Sequence, residues 1–376
     1  MRTERRAPDS HDVFAGPLSE QWEALAERSN ASPFSYPGWF SAWCRAFGVG
    51  DTHLVTLRRS GDLVGLAPLR KRGACLASLA NAHTPLYEWV GDEVNVAEEI
   101  TQVLLSERPR RISVAMLDPS DPGSQAIIRT AAAEGYRIER RIVTAAPVVK
   151  VGGEWKSYEA GLRTKLLSEL RRRQRRLQER GNLSLEVYDG TENLEGLLRE
   201  GFRVEGSGWK GERGTSINSR VATRSFYTDV ARWASEKGWL RLAFLRLDAA
   251  ALAFDYSLER NGIHYLIKTG YEQGFRKFAP GMVMRHMMLE RAFQHRLAAY
   301  DFLGEDYAWK REWSAAQQER MNVELFAPSL RGRMDHLRGR ALEGAEDRSR
   351  RVLERVLDEA GLERLRRLRV WTKRRR

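Results

Sequence analysis

Trp and aliphatic residues recur at helical spacing over Leu18–Arg28 and again over Gly38–Phe47, with Ser32-Pro33 and Pro37 punctuating the interval. Two short β-type runs follow, His53–Arg58 and Leu63–Arg70, around Ser60-Gly61-Asp62, which predicts a hairpin. Leu86–Val90 reads as a strand, Val94–Leu105 as a helix and Arg111–Leu117 as a strand. Gly123–Glu134 reads as a helix that starts after Asp121-Pro122. Arg137–Thr144 and Pro147–Val151 close this half as strands, and Gly152-Gly153 marks the expected boundary.

The second half repeats a related order. Tyr158–Arg180 reads as one helix with Leu162, Leu166, Leu170 and Leu177 on one side and Gly181 as its cap. Leu183–Tyr188 is a strand, and Thr191–Gly206 and Arg220–Lys237 are helices, the second ended by Gly238. Leu240–Leu247, Ala251–Glu259 and Ile263–Thr269 form three strand-like runs. The last two are joined by Asn261-Gly262, the strongest short hairpin signal. Ala279-Pro280-Gly281 opens a helix over Met282–Leu297, and Tyr300–Leu303 and Val323–Phe326 are short strands. The expected fold class is mixed α and β, in units of residues 1–151 and 152–330. Residues 331–376 follow as a charged helical appendix.

Charge changes this picture only locally. The 376 residues carry a formal +13, from 63 Lys and Arg against 50 Asp and Glu. Gly161–Arg180 holds +6 and Arg331–Arg376 holds +8, so the remainder is close to neutral. Arg171–Arg176 and the tail are therefore the candidate surfaces for RNA or an anionic membrane. A solvated helix face is the plainer alternative. No run approaches the roughly 18 apolar residues of a membrane span. Met1–Ser10 has charges with no apolar stretch behind them, so neither a span nor a secretory signal is expected and the expected location is the cytoplasm. Two cysteines, Cys44 and Cys75, are too few for a disulfide framework or a four-cysteine metal site.

The common phosphate-loop, dinucleotide, zinc-peptidase and nucleophile-elbow signatures are absent from the sequence. His286 and His295 share a predicted helix at a spacing unsuited to joint ligation, so no metal is expected. The informative stretch is Ile263 through Trp313: a β run, a loop with Gly274, Arg276, Lys277 and Gly281, then a helix start. Orphan amides and the positive dipole end of a helix bind phosphate, and Pro280 suits a first turn because it has no N–H to leave unsatisfied. Arg276 and Lys277 add charge there. The plain alternative is an ordinary turn with solvated basic residues.

Several motifs in order carry a more specific likeness: EGSGWKGERGTSI, LRLAFLRLD, LAFDYSLE, IKTGYEQGFRKFAPGM and YDFLGEDYAWKREW. Together they resemble the GNAT-superfamily acyltransferase-like domains of bacterial cellulose and exopolysaccharide biosynthesis proteins, the CelD-like group. That group is distantly related to the FemAB peptidoglycan aminoacyltransferases. The likeness is strong over about Trp155–Trp313 and weaker over the first half, where SPFSYPGWFSAWCRAFG and LVGLAPLR also resemble the group. It does not cover the chain after Phe326.

The resemblance implies two tandem GNAT-like (FemAB-like) units, each a mixed sheet flanked by helices, with the acyl donor on the second. The donor's pantetheine would lie where Ile263–Thr269 splays from Tyr300–Leu303, with its pyrophosphate at Arg276–Met282. The donor-binding residues so implied are Thr269, Gly270, Arg276, Lys277, Pro280, Gly281 and Met282, and the donor is acyl-coenzyme A, acetyl or longer. The loop departs from the usual Q/RxxGxG/A form, since Arg276 is followed by Lys-Phe-Ala-Pro-Gly.

Acyl transfer to an amine or hydroxyl needs a base, donors for the carbonyl oxygen and an acid for the leaving group. The resemblance implies Tyr307 as acid and Lys310 as a charge-balancing residue, although members of the group have Tyr-Lys where this chain has Trp309-Lys310. Asp301 and Glu205 are the candidate bases, with Glu305 and Asp306 beside the first. Trp209, Lys210, Asp255 and Trp309 are the candidate acceptor-binding residues. The function expected is acyl transfer to a sugar-linked acceptor in polysaccharide or cell-envelope metabolism. The alternatives are aminoacyl transfer from charged tRNA and a non-enzymatic scaffold for an anionic partner.

Overall fold

The computed structural model describes residues 14–48, 51–93, 95–208 and 214–340. Helices α1 (Pro17–Arg28) and α2 (Pro37–Phe47) each begin at a proline. They precede the hairpin of β1 (Asp51–Arg59) and β2 (Asp62–Arg72). Ser60 and Gly61, at φ 52° and 98°, make its two-residue turn, the left-handed pair that matches strand twist. Then come β3 (Cys75–Ser78), β4 (Val90–Gly91), α3 (Val96–Ser106), β5 (Arg111–Leu117), α4 (Pro122–Ala133) and β6 (Arg137–Lys150). The second half runs α5 (Trp155–Ala160), α6 (Thr164–Gln178), β7 (Leu183–Tyr188), α7 (Leu194–Gly206) and α8 (Val221–Glu236). It continues through β8 (Leu240–Leu247), β9 (Ala250–Arg260) and β10 (Ile263–Tyr271) to α9 (Pro280–Gln294), β11 (Ala299–Asp301), α10 (Ala308–Arg311) and β12 (Gln317–Phe326). Residues 330–340 are helical, and the rest of the basic tail lies outside the described residues.

All twelve strands join one mixed sheet in the order β1-β2-β3-β5-β12-β6-β11-β10-β9-β8-β7, with β4 beside β2. Gly152 and Gly153 follow β6, but the sheet continues past that point, because Val148–Lys150 of β6 pairs with Ala299–Asp301 of β11. The chain then returns: β12 inserts antiparallel between β5 and β6. β12 therefore extends well before the short run expected at Val323–Phe326, since β5 pairs it back to Met321 and β6 back to Gln317. The same pairing carries β6 unbroken through Ala145 and Ala146, where two separate strands were expected.

Two expected features of the basic region differ as well. The helix expected over Tyr158–Arg180 is two helices, broken at Gly161-Leu162-Arg163, where Arg163 turns extended at ψ 128°. Gly181 is not a left-handed cap; a Cβ there would lie 2.2 Å from the Asp248 carboxylate, which accepts the Asn182 amide. Gly238 and the Asn261-Gly262 turn do adopt positive φ.

The second-half strands are covered on both faces, which explains the nearly continuous burial of β8 and β9. One core cluster contains Leu197, Phe202, Phe226 and Tyr227 of α7 and α8 together with Trp22, Trp39 and Trp43 of the first half. The other lies under α6 and α9, with Leu170, Leu177, Met284 and Leu289. These two faces define the surroundings of β10.

Candidate active cleft

β10 has nine residues and its parallel neighbour β11 only three. They pair from Ile263↔Ala299 to Tyr265↔Asp301, and β10 then continues to Tyr271 with no strand on that side. A strand edge left this way presents backbone N–H and C=O groups to whatever enters. Close to the divergence β10 carries a bulge against β9: Leu266 pairs with Ser257 and Lys268 with Tyr256, leaving Ile267 extra. Tyr265 and Ile267 pack with the first core, whereas His264 and Leu266 lie on the side of α9. Past the bulge the alternation is displaced by one residue. Lys268 and Gly270 now face α8 and α7, and Thr269 faces α9.

The loop after β10 is tied to α7. Glu272 accepts from the Ser207 hydroxyl and, at 2.8 Å, from Arg203, while the Gln273 amide donates to Ser207 Oγ at 3.0 Å. A 3-10 turn, Gln273–Phe278, leads to Ala279 in the left-handed region (φ 44°, ψ 57°) and to Pro280 at the first position of α9. In the first turn Pro280 has no N–H and the amides of Met282 and Val283 donate to the Ala279 carbonyl at 2.9 and 3.3 Å, which leaves the Gly281 amide without an intrahelical partner. Arg276 and Lys277 are exposed beside it. The basic helix α6 packs against this loop. Arg180 lies over the Phe278 ring at 4.9 Å and Lys277 over the same ring at 5.2 Å. With Arg176 and Glu179 they line a cavity of about 250 Å3. Other arginines of the helix are paired, Arg173 with Glu169 at 2.6 Å and Arg171 with Glu159 at 3.8 Å.

Beneath α9 lies a polar group sealed from solvent. Arg285 holds both oxygens of Asp255, and its guanidinium also donates to the Tyr300 hydroxyl and to Thr269 Oγ1 at 3.4 Å. Asp255 is 0% and Arg285 1% exposed, so the carboxylate is neutralised where it stands. His264 stacks on Tyr300 at 4.5 Å and meets Glu259 at 3.1 Å; burial lowers its pKa below the ordinary value.

Past β11 the chain turns sharply through Leu303 and Gly304, at φ 44° and 63°. Asp301 is buried; it accepts the Leu303 amide at 2.8 Å and faces Arg320 at 3.7 Å. Burial pushes its carboxyl pKa upward, against the opposing pull of Arg320. The buried Lys310 ammonium donates to the carbonyls of Leu303 and, at 2.8 Å, Glu305, and so closes this turn. Tyr307 is 42% exposed and precedes α10, and Trp309 stands 5.9 Å from the Arg285 guanidinium. Glu205, at the end of α7, is buried and accepts the Ile217 amide at 2.9 Å. Gly270 packs directly on it: a Cβ at Gly270 would lie 2.4 Å from the Glu205 Cα.

The structure thus gathers Thr269, Gly270, Lys277, Pro280 and Gly281 around the end of β10, and Asp301, Tyr307 and Lys310 around the end of β11. Asp255 lies under α9, and Trp209 and Lys210 lie outside the described residues. Sequence reasoning missed Arg285, Lys268, Tyr227 and His83. Arg285 had a signal, a charged residue within the apolar stripe of Met284, Met288 and Leu289. Among the described residues no cluster of three or more His, Cys, Asp or Glu is placed to hold a metal. No helix there is long and apolar enough to cross a membrane.

Residues 164–311 match the family model of an acetyltransferase (GNAT) domain. The fold is GNAT-like. Among solved structures it resembles FemX, with TM-score 0.57 and 13% identity over 86% of this chain and 98% of that one. It also resembles the C-terminal domain of a putative lysylphosphatidylglycerol synthetase from Agrobacterium fabrum (TM-score 0.54, 13% identity, 81% and 90% covered). L-PGS from Bacillus licheniformis gives TM-score 0.52 at 14% identity, with 83% and 93% covered. None of the curated proteins compared matches the chain. Likeness at this identity is likeness of fold, and it spans both GNAT-like halves.

Proposed function

We propose that the protein is an acyltransferase that moves an acyl group from acyl-coenzyme A to an amine or hydroxyl, on the sugar-linked acceptor that the CelD-like resemblance implies. The observation that carries this reading is the unpaired edge of β10 beyond Tyr265, next to the phosphate-suited start of α9, all within the segment matching the GNAT domain. The residues suit a thioester donor. The Gly281 amide at the positive end of α9 would hold the pyrophosphate with Lys277, and the β10 edge would hold the pantetheine amides. A bound donor supplies the activated carbonyl. The protein's part is to orient that carbonyl on strand amides, exclude water and handle protons. Tyr307, half-exposed at the end of β11, is the residue proposed to return a proton to the leaving group.

A second reading is favoured by one observation, the packing of the basic helix α6 on the phosphate loop. An aminoacyl donor carried on tRNA would use Arg176 and Arg180 for phosphates further along the ligand. Mass spectrometry of the purified protein for a bound thioester, with melting curves in acetyl- and longer acyl-coenzyme A, tests the first reading. A bound thioester or a rise in Tm is expected. No thioester and no shift, together with salt-sensitive tRNA binding, would replace it with the second.

A further inference from the structure

We propose that Lys268 Nζ is the general base on the acceptor side of the cleft. This rests on the acyl-transfer reading above and deepens it. The bulge at Ile267 turns Lys268 away from α9 and toward α7 and α8. Its ammonium sits 5.3 Å from the centre of the Tyr227 ring, and the fully buried Tyr227 meets His83 of the first half, 3.2 Å from OH to Nδ1. His83 is itself stacked on Phe47 of α2 at 5.3 Å. Lys268 is only partly buried, and among the described residues it has no hydrogen bond or ion pair. A half-buried amine over the Tyr227 ring, with no hydrogen bond or ion pair among the described residues, is placed to receive a proton rather than to bridge the fold.

Among the described residues the charged and titratable groups around it are Glu205 of α7, Tyr227 of α8 and His83 of the loop after β3, with Arg220 acting on His83 from just before α8. Burial lowers the Lys268 pKa from its ordinary value, with Glu205 acting the other way. Burial, then the charges of Lys268 and Arg220, lower His83 to about 4, so the imidazole is neutral at pH 7 and adds no charge beside the amine.

The step balances without a further reactant. The acceptor's N–H or O–H proton passes to the uncharged Lys268 Nζ as its lone pair bonds to the acyl carbon. The bond from that carbon to the donor's sulfur, or to oxygen in an ester donor, breaks with its electron pair. The leaving group then takes a proton, from Tyr307 or from the Lys268 ammonium itself.

Two measurements test this, one of them independent of turnover. The first is a pH series of brief acetic anhydride labelling of the full-length protein, read by peptide mass spectrometry. It should show Lys268 titrating below the ordinary lysine value of about 10.4. In the second, Lys268→Arg and Lys268→Met should lower kcat roughly 100- to 10,000-fold and remove the limb on which activity rises with pH as Lys268 loses its proton. The donor-induced rise in Tm should persist, which shows that the variants fold. An ordinary titration of Lys268, or a pH profile unchanged in Lys268→Arg, overturns the base and leaves acyl transfer standing. If the wild-type protein binds no donor, the acyl-transfer reading fails and the base fails with it.

Discussion

Arg285 grips Asp255 by both guanidinium ends, at 2.8 and 2.9 Å, with neither side chain more than 1% exposed. The pair fastens α9, whose first turn is the proposed phosphate site, to β9 in the middle of the sheet. Removing one ion from such a pair leaves the other buried without compensation, a loss of about 3–5 kcal/mol. Arg285→Met is therefore expected to lower unfolding free energy by that amount. The double variant Arg285→Met with Asp255→Asn should recover part of it, because no charge is then stranded. Urea unfolding of the two variants beside the wild type checks this.

Gly270 is expected to tolerate no side chain. Its missing Cβ position lies 2.4 Å from the Glu205 backbone, and backbone cannot yield as a flexible side chain can. Gly270→Ala should cost about 1–3 kcal/mol by overpacking and push the end of α7 off β10. A fall in Tm and a weaker donor-induced shift are the expected readings. An unchanged melting curve would show that α7 moves freely there.

Charge reversal at the proposed phosphate loop should act on binding and leave folding alone, because Lys277 is exposed and Arg180 rests over the face of Phe278. Losing a charged contact worth about 1.5–3 kcal/mol weakens binding roughly 10- to 150-fold. Lys277→Glu should raise the donor Kd within that range, and the difference should shrink at high salt. Arg180→Glu separates the two donor readings. It should affect a tRNA ligand at least as strongly as a free thioester, as measured by calorimetry on both.

His83 predicts a pH dependence of stability. Its pKa falls from the ordinary 6.5 to about 4 on folding, because burial disfavours the imidazolium. Between those values the unfolded chain binds a proton that the folded one refuses. Stability is then fully present above pH 6.5 and is lost as pH falls toward 4, by at most about 3 kcal/mol. His83→Phe should flatten that part of the curve, whatever it does to stability at neutral pH. Unfolding free energies at several pH values in both proteins would show it.

Features built from neighbouring residues were legible in the sequence: the Asn261-Gly262 turn, the two proline-started helices and the glycine stop at Gly238. Features that depend on distant partners were not. The length of β12 and the continuity of β6 come from mutual pairing, which no local pattern contains. Gly181 read as a helix cap because a cap and a tight contact with Asp248 require the same residue. At the site, the loop of Arg276–Met282 was visible as a motif, while Lys268 was not. Alternation along IHYLIKTGY places Lys268 with His264 and Leu266, on the side of Arg285; the extra residue at Ile267 reverses that.

The bulge also determines which kinds of sequence change can remake this site. Substitution at any one position leaves the two faces of β10 as they are. Deletion of the single residue Ile267 leaves them too: plain alternation from Leu266 still turns Lys268 toward Tyr227 and Thr269 toward Arg285. The faces exchange only if Ile267 stays and the bulge is lost, because Lys268 would then follow it onto the opposite side and meet the buried Arg285. Two cations would then crowd a compartment where Asp255 is already paired. The cleft therefore survives the loss of one residue before Lys268, but not a slip of β10 along β9.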